Sequence, residues 1–184
     1  MKEIEYKFLL KNLPRAVIDN AEKVYIEQIY FNKTTNKKIL SILNIPSSSL
    51  KEIDTVRIRI EHHKNSIKYI LNAKTYGQKE RLEFEKEIDE KNAKELLIKK
   101  YVGKIDKIRY KIPVKNYTFE FDEYLDKNKG LYVCEVEVNK KNDDYNFITE
   151  ILHNKFELNF VDVTNDSKFK NVNLSKEFVY ENYK

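Results

Sequence analysis

The sequence predicts an α+β protein that is mainly antiparallel β-sheet, with a few helices at the periphery of the sheet. In about eight segments, apolar and polar residues alternate with a period of two, which is typical of half-buried strands. Connections of hairpin length join most of these segments and favour antiparallel pairing. Apolar residues at helical spacing occur in only a few stretches, so we expect the helices to cover the sheet.

The composition predicts one domain over residues 1–184. The chain has 184 residues, of which 41% are hydrophobic and 12% aromatic, and this is enough to bury a sizeable core. No apolar run reaches the length of a membrane helix, and the N-terminus is a charged strand where a signal peptide would need an apolar segment. We therefore expect a cytoplasmic protein with no membrane partner. The single cysteine, Cys134, leaves no internal disulfide, and we expect it to be buried on a strand.

The charge of the chain permits an anionic partner without identifying one. The net charge is +5 and the isoelectric point is near 9.0. We find no helix-turn-helix, zinc-finger or RNA-recognition motif, so nucleic acid is not the expected partner. The position of each charge along the strands is therefore more informative than the total.

The first half of the chain contains strand patterns separated by helical stretches and one long connection. Residues 32–54 are rich in Asn, Lys and Ser, and we predict a loop with a short helix that serves as a lid or as a surface insertion. Pro14 suits the start of a short helix, and Asp89 suits the cap of another. The predicted strands are 3–10, 25–31, 55–61, 67–76 and 81–88.

The second half continues with strands and ends in two helical stretches. Residues 126–130 read as a turn between two strands, and residues 143–156 carry apolar side chains at helical spacing. The tail from residue 160 onward is predicted to form a strand, a loop and a closing helix. The predicted strands before the tail are 107–114, 117–125 and 130–139.

Nearly every predicted strand is charged on one face and apolar on the other. Residues two apart on a strand point the same way, about 7 Å apart, so Arg57 with Arg59 and Glu135 with Glu137 are like-charge neighbours. A surface arranged for stability would avoid such neighbours. The same faces carry Glu3, Glu5, Lys7, Lys74, Arg81, Glu83, Glu85, Glu87, Lys107, Arg109, Lys111 and Asp122.

Two arrangements satisfy this pattern. One is an ordinary sheet with a solvated charged face, and the other is a closed barrel with a charged lumen whose apolar exterior is covered by helices. Charges enclosed in a lumen are costly without counter-ions, so the second arrangement implies a ligand. Clustered Arg and Lys would hold phosphate oxygens, and paired glutamates would hold a divalent cation that bridges to phosphate.

Short motifs follow one another in a fixed order along the chain, beginning with Glu3-Ile4-Glu5-Tyr6-Lys7. The further segments are QIYF (28–31), VRIR (56–59), YILNAK (69–74), RLEFE (81–85), KIRY (107–110), FEFDEY (119–124), GLYVCEVEV (130–138) and VDVT (161–164). This ordered series resembles the CYTH domain family, also called triphosphate tunnel metalloenzymes, whose opening motif is ExExK. The resemblance implies a closed, eight-stranded, tunnel-like barrel, similar to the small bacterial members that hydrolyse inorganic triphosphate.

The resemblance implies a role for each charged position, with Mg²⁺ or Mn²⁺ as the cofactor. The implied metal ligands are Glu3, Glu5, Glu135, Glu137 and Asp122. The implied substrate-binding residues are Lys7, Arg57, Arg59, Lys74, Arg81, Lys107, Arg109 and Lys168. The implied catalytic residues are Lys7, Asp122 and Arg59, with Asp122 near the metals or the attacking water. Glu83 and Glu85 match the charged strand of the family, as ligand contacts or as structural pairs.

The chain departs from the family pattern at a few positions. Asn72 and Ala73 stand where the family favours a threonine and an aliphatic residue, and Asp162 stands where glutamate is usual. Lys168 and Lys170 follow the VDVT motif where arginine is common. These exchanges leave the implied metal and core cation sets intact, so we expect a competent enzyme.

The resemblance implies a metal-dependent hydrolase that cleaves the terminal phosphoanhydride bond of inorganic tripolyphosphate or a related triphosphate. It leaves three alternatives: an enzyme like the class IV adenylyl cyclases, a thiamine triphosphatase, and a non-catalytic barrel that binds polyphosphate or nucleotides. The three histidines suggest no separate metal site, because adjacent strand residues such as His62 and His63 face opposite sides. A monomer and a homodimer are both compatible with the family.

Overall fold

A computed structural model describes residues 2–32, 37–76, 80–138 and 144–176 of the chain. Within these ranges, nine antiparallel strands form one sheet, in the order β5-β4-β3-β2-β6-β7-β8-β1-β9. The strands are β1 (Lys2–Leu10), β2 (Glu22–Phe31), β3 (Ile53–His62), β4 (Ile67–Thr75), β5 (Glu80–Ile88), β6 (Gly103–Val114), β7 (Tyr117–Tyr124), β8 (Tyr132–Glu137) and β9 (Phe160–Asp162). The mainly antiparallel α+β class predicted from the sequence is confirmed.

Short helices flank this sheet. The helices are α1 (Arg15–Asn20), α2 (Lys37–Ile42), α3 (Glu90–Leu97), α4 (Tyr145–Glu150) and α5 (Asn171–Leu174). Short 3₁₀ turns cover Ser47–Glu52, Asp126–Asn128 and Ser167–Phe169, and a π turn at Ile151–Lys155 extends α4. The predicted cap of α3 is present, because the Asp89 side chain accepts a hydrogen bond from the Asn92 backbone N–H.

The predicted loop at 32–54 contains α2 and the first 3₁₀ turn, and residues 33–36 lie outside the described ranges. Its role as a lid or as a surface insertion stays a prediction. The closing helix predicted for the tail is described only as the short α5, because residues 177–184 lie outside the described ranges. No helix in the described ranges is both long enough and apolar enough to cross a membrane.

The sheet departs from the predicted closed barrel of eight strands at one seam. The free edge of β1 meets β5 only through the pairs Lys2↔Leu82, Glu3↔Arg81 and Ile4↔Glu80. Residues 8–10 of the same edge pair with β9 instead. Because β9 occupies this part of the edge, β5 cannot pair along the whole of β1. Within the described ranges the sheet has nine strands and is not closed into a barrel, so this part of the prediction is wrong.

Two apolar clusters cover the outside of the sheet. One packs α1 and α4 on β1, β6, β7 and β8, and includes Phe8, Phe121 and the predicted buried Cys134. The other packs α2 and α3 on β2 to β5, and includes Ile58 and Leu71. Burial of each large apolar side chain contributes about 1.5–3 kcal/mol, so these clusters hold the helices on the sheet. The charged faces of the strands are left to point the other way.

A third apolar cluster lies on the inner side of the sheet, at one end of the strands. It joins inward residues of β2, β6, β7 and β8 to the C-terminal segment through Phe169 and Leu174. Its buried members are Tyr30, Ile105, Tyr124, Leu131, Val133, Val163, Phe169 and Leu174. The concave face of the sheet is therefore apolar at one end and charged over the rest.

A charged cavity as the candidate active site

The charged faces of the strands enclose a cavity of about 610 Å³. The described residues that line it carry charges of both signs, which face one another across the same space. The cations of the lining are Lys7, Arg57, Arg59, Lys74, Arg109, Lys111 and Lys170. The carboxylates are Glu5, Glu61, Glu83, Glu85, Glu120, Glu135 and Glu137. The charged faces therefore share one enclosed space, as in the second of the two arrangements that fit the strand alternation.

The register of the sheet explains why these side chains converge. Directly opposite residues on antiparallel strands project to the same face. One such row crosses four strands, from β6 through β7 and β8 to β1. Its members are Lys111, Glu120, Glu135 and Lys7. The row has a lysine at each end and two glutamates between them. Its positive and negative charges therefore compensate one another across the strands.

Glu135 accepts contacts from three cations at the centre of this row. Its Oε1 lies 2.8 Å from Lys7 Nζ, and its Oε2 lies 2.5 Å from Arg109 Nη2 and 4.0 Å from Lys107 Nζ. Burial alone would raise the pKa of the Glu135 carboxyl, but attraction by Lys7, Lys107 and Arg109 holds that pKa well below its usual value. Glu135 is therefore a carboxylate at neutral pH although only 6% of it is exposed.

Lys7 is held at the meeting point of three parts of the chain. Its Nζ lies 3.3 Å from Glu5 Oε1 and donates to the Phe169 carbonyl oxygen at 3.2 Å, in addition to its contact with Glu135. The Phe169 carbonyl belongs to the C-terminal segment that closes the apolar end of the cavity. The ammonium group is thus fixed in place before any ligand enters.

A fully buried ion pair, formed by Lys107 and Asp122, contacts Arg109. The Asp122 carboxylate accepts from Arg109 Nε and Nη2, both at 2.7 Å, and from Lys107 Nζ at 2.5 Å. Burial and the neighbouring Arg109 lower the pKa of Lys107, and the two carboxylates Asp122 and Glu135 oppose that effect. Lys107 and Asp122 are each 0% exposed, and neither lines the cavity. The structure thus does not bring these two predicted site residues to the cavity surface.

The remaining predicted cations line the opposite wall. Arg57 Nη1 donates to Gln28 Oε1 at 3.2 Å and lies 3.4 Å from the Tyr30 hydroxyl oxygen. Arg59 contacts Glu61 at 3.1 Å and Glu85 at 3.1 Å. Lys74 Nζ lies 3.2 Å from Glu83 Oε2. The cations of this wall therefore contact neutral and carboxylate oxygen atoms of the protein. An incoming anion would have to replace these contacts.

The structure brings some predicted residues to the cavity and leaves others elsewhere. Lys168 is exposed on its 3₁₀ turn and does not line the cavity, whereas Lys170 does. Glu3 and Arg81 are paired through their backbones where β1 meets β5, but their side chains are not among those that the structure describes. Their predicted contacts with metal and substrate stay predictions. Glu5 and Glu137 lie directly opposite each other and both line the cavity.

Sequence reasoning missed several polar residues in and behind the wall of the cavity. Gln28 and Asn72 are buried polar residues on the cavity side of their strands, and a search for alternating charges passes over neutral side chains. The Tyr30 hydroxyl donates to Gln28 Oε1 at 2.7 Å, and the same search passes over this uncharged residue. Charge alternation did mark Lys111, but gave no reason to place it in the site.

The carboxylates of the cavity offer the type of ligand atom that a divalent cation prefers, although they do not form a complete metal site by themselves. No group of three His, Cys, Asp or Glu side chains among the described residues is arranged to hold a metal ion. Glu5, Glu135 and Glu137 nevertheless present oxygen atoms to one cavity, and carboxylate oxygens are the ligands that Mg²⁺ and Mn²⁺ prefer. The donor set therefore fits the implied cofactor if the substrate supplies further oxygens.

Comparison of the sequence with known proteins identifies one family over most of the chain. A sequence model of the CYTH domain matches residues 1–168. An inorganic triphosphatase of Acetivibrio thermocellus is 32% identical over 133 residues, which are 71% of this chain and 76% of that protein.

Solved structures share the fold at lower identity. A crystal structure of an inorganic triphosphatase superposes with a TM-score of 0.56 at 21% identity, covering 96% of this chain and 95% of that one. A Hippeastrum protein, described as an adenylyl cyclase candidate with a dominant triphosphatase activity, gives a TM-score of 0.65 at 17% identity, with 96% and 97% covered. A protein from Vibrio parahaemolyticus, described as a candidate adenylate cyclase, gives a TM-score of 0.55 at 14% identity, with 85% and 88% covered.

Proposed function

The chain belongs to the CYTH domain family, and from this premise we propose that it hydrolyses the terminal phosphoanhydride bond of inorganic tripolyphosphate in a reaction that depends on a divalent metal. The observation that carries the proposal is the cavity, in which seven cationic side chains and seven carboxylates of the described residues face the same space. Its volume of about 610 Å³ falls in the range of about 300–1,000 Å³ that is usual for small-molecule sites.

Hydrolysis of tripolyphosphate needs the kind of charge that this cavity supplies. The substrate is a polyanion that repels an attacking water, so its barrier falls when cations neutralise the phosphate oxygens and hold the attacking and leaving groups in line. Arg57, Arg59 and Arg109 offer planar guanidinium groups that can bind phosphate with two hydrogen bonds each. Lys7 and Lys74 act as point charges on the same phosphate chain.

Substrate entry would exchange internal ion pairs for phosphate contacts. Arg59 and Lys74 rest on Glu61, Glu83 and Glu85, whose carboxylates are repelled by an incoming polyanion. Arg109 instead stays aligned by its contact with buried Asp122, which an incoming ligand does not reach. We therefore place Asp122 as a positioning residue for Arg109, and Lys107 as its buried counter-charge.

Glu5 and Glu137, with Glu135 and the predicted ligand Glu3, would hold Mg²⁺ or Mn²⁺ at the end of the row that includes Lys7. When bound, the metal neutralises phosphate oxygens and lowers the pKa of a coordinated water, which is the chemistry that hydrolysis requires. Lys7 lies beside Glu5 and Glu135 and would hold a phosphate oxygen next to these carboxylates. No serine or cysteine nucleophile is needed.

The relative from Acetivibrio thermocellus supports tripolyphosphate as the substrate, since it carries the name inorganic triphosphatase. Adenylyl cyclase activity is the second candidate, because two proteins described as candidate adenylyl cyclases share the fold. Leu43, Phe84 and Val172 are apolar lining residues against which a nucleobase could pack. The charge of the remaining lining makes an inorganic polyanion the better fit.

The proposal is tested by phosphate release from tripolyphosphate, ATP and thiamine triphosphate in parallel, each with Mg²⁺, with Mn²⁺ and with a chelator. We expect metal-dependent release that is fastest on tripolyphosphate. Formation of cyclic AMP and diphosphate from ATP would instead support the cyclase. Absence of turnover on all three substrates would overturn the hydrolase and leave a binding protein.

A further inference from the structure

We infer that Asn72 is a positioning residue, which sets Lys74 and Arg59 for phosphate binding by bridging Glu83 and Glu85. The inference rests on the proposed function, because it assigns phosphate contacts to Lys74 and Arg59. Asn72 itself is not among the residues that line the cavity.

The register places Asn72 between a cation and a carboxylate. On β3 its direct partner is Arg57, and on β5 its direct partner is Glu85. Because directly opposite residues share a face of the sheet, Asn72 projects to the side that carries the cavity. It is 0% exposed, so its amide is shielded from water, and an amide donor left unpaired there would be costly.

The amide nitrogen of Asn72 donates to two carboxylates. Nδ2 donates to Glu83 Oε1 in a short contact and to Glu85 Oε2 at 3.2 Å. The amide oxygen, Oδ1, accepts no hydrogen bond within the described part of the chain. A carboxylate can only accept at neutral pH, so both neighbours require the nitrogen, and the orientation of the amide is fixed by them.

Each of these carboxylates in turn contacts one predicted phosphate-binding cation. The second oxygen of Glu83, Oε2, lies 3.2 Å from Lys74 Nζ. Oε2 of Glu85 lies 3.1 Å from Arg59 Nη2. A continuous chain of contacts thus runs from Lys74 through the Asn72 amide to Arg59. Asn72 is at its centre.

The Asn72 amide also offsets the repulsion between two carboxylates on β5. Glu83 and Glu85 are two apart on one strand, so their carboxylates project to the same face about 7 Å apart and repel each other. The two N–H bonds of one amide can serve both carboxylates at once. A threonine hydroxyl has a single proton and can serve only one of them, and a carboxylate at this position would add a third negative charge.

Two substitutions of Asn72 separate this role from simple packing. In Asn72→Asp the shape is kept but the donor becomes an acceptor, and we expect the KM for tripolyphosphate to rise about tenfold at pH 8 with kcat changed less than about threefold. In Asn72→Thr one donor remains, and we expect a KM increase of about threefold. If Asn72→Asp does not fold, Asn72→Thr decides the question by itself.

A pH profile supplies a readout that a purely structural role would not give. A group of three neighbouring carboxylates takes up a proton more readily than a pair does. At pH 6 the third negative charge in Asn72→Asp should therefore be partly neutralised. We expect the KM of this variant, relative to wild type at the same pH, to be raised less than about threefold at pH 6. Asn146→Asp is the matched control, because Asn146 is exposed on α4 and the charge change is the same. We expect this control to keep the wild-type KM at both pH values.

Binding of tripolyphosphate by calorimetry in the presence of a chelator separates failure of this inference from failure of the proposed function. Without turnover by the wild type the proposed hydrolase fails, yet the dissociation constant still reports on Asn72. We expect Asn72→Asp to weaken binding about tenfold at pH 8. The inference is overturned if Asn72→Asp, or Asn72→Thr where the first variant is unfolded, keeps affinity and KM within twofold of wild type. It is equally overturned if the penalty of Asn72→Asp is the same at pH 6 and pH 8.

Discussion

Lys7 and Glu135 lie directly opposite each other on β1 and β8, with Lys7 Nζ 2.8 Å from Glu135 Oε1. A residue proposed for phosphate and a residue proposed for metal therefore neutralise each other in the ligand-free cavity. Bound together, a polyanion and a divalent cation would give each side chain a new partner of opposite charge. The cavity is thus arranged to bind the two together.

Loss of one carboxylate from the proposed metal site should change the metal requirement. For Glu137→Gln we expect the Mg²⁺ concentration for half-maximal activity to rise about tenfold or more, because a charged oxygen ligand is replaced by a neutral amide. Glu150→Gln is the control, since Glu150 is exposed on α4. An unchanged Mg²⁺ titration for Glu137→Gln would remove that residue from the metal site.

Arg57 should contribute through the geometry of its guanidinium group as well as its charge. Arg57→Lys keeps the charge but loses the planar fork, and we expect the KM for tripolyphosphate to rise about tenfold, equivalent to about 1.4 kcal/mol. Arg15→Lys, at an exposed position on α1, should leave the kinetics unchanged. Equal KM values for Arg57→Lys and wild type would show that Arg57 does not grip phosphate with two hydrogen bonds.

Asp122 should matter for stability and for Arg109, but not for metal affinity. Asp122→Asn leaves Lys107 and Arg109 buried with less counter-charge, and breaking such a buried pair costs about 3–5 kcal/mol in the free energy of unfolding. Denaturant unfolding measures this loss. The residual activity should keep the Mg²⁺ dependence of the wild type. A shifted Mg²⁺ titration would restore Asp122 to the metal site.

Glu135 should contribute to stability in a pH-dependent way when no metal is present. Its pKa is depressed in the folded protein and returns to about 4.3 on unfolding, so its contribution is present above that value and is lost as pH falls through the folded pKa. The difference in unfolding free energy between wild type and Glu135→Gln, measured in chelator, should therefore be largest near pH 7 and shrink below pH 4. A difference in unfolding free energy that stays constant across this pH range would contradict a depressed pKa of Glu135 in the folded protein.

Gly103 should be needed to hold the C-terminal segment at the closed end of the cavity. An added Cβ at Gly103 would collide with the side chain of Ser175, directly after α5. We expect Gly103→Ala to lower the free energy of unfolding by about 1–3 kcal/mol. Adding Ser175→Gly to the same chain removes the Ser175 side-chain atoms that would meet the new Cβ. The double variant should therefore recover part of the lost unfolding free energy. Additive losses in the double variant would show that the two residues do not compete for this space.

Strand alternation was sufficient to predict most of the site, because the inward face of each strand follows from a period of two. Lys7, Arg57, Arg59, Lys74 and Arg109 all reach the cavity as that period requires. Alternation gives the face of a residue but not its depth along the lumen. Lys107 shares the face of Arg109, yet it lies where the inner apolar cluster begins and is fully buried.

Other parts of the structure depend on contacts that a single sequence does not specify. Outside strands the period of two no longer applies. The resemblance pointed to Lys168, whereas Lys170 is the one of the two that reaches the cavity. The division of the β1 edge between β5 and β9 depends on where the C-terminal segment returns to the sheet. Asn72 was noted as a departure from the family, but its two partners become visible only in the register.

The most direct test of the central claim is a phosphorus NMR time course of tripolyphosphate with the purified protein and Mg²⁺, repeated with a chelator. We expect tripolyphosphate to be converted to diphosphate and orthophosphate in equal amounts, and the chelator to stop the conversion. Persistence of the tripolyphosphate signals with Mg²⁺, or conversion that continues unchanged in the chelator, would contradict a metal-dependent triphosphatase in this cavity.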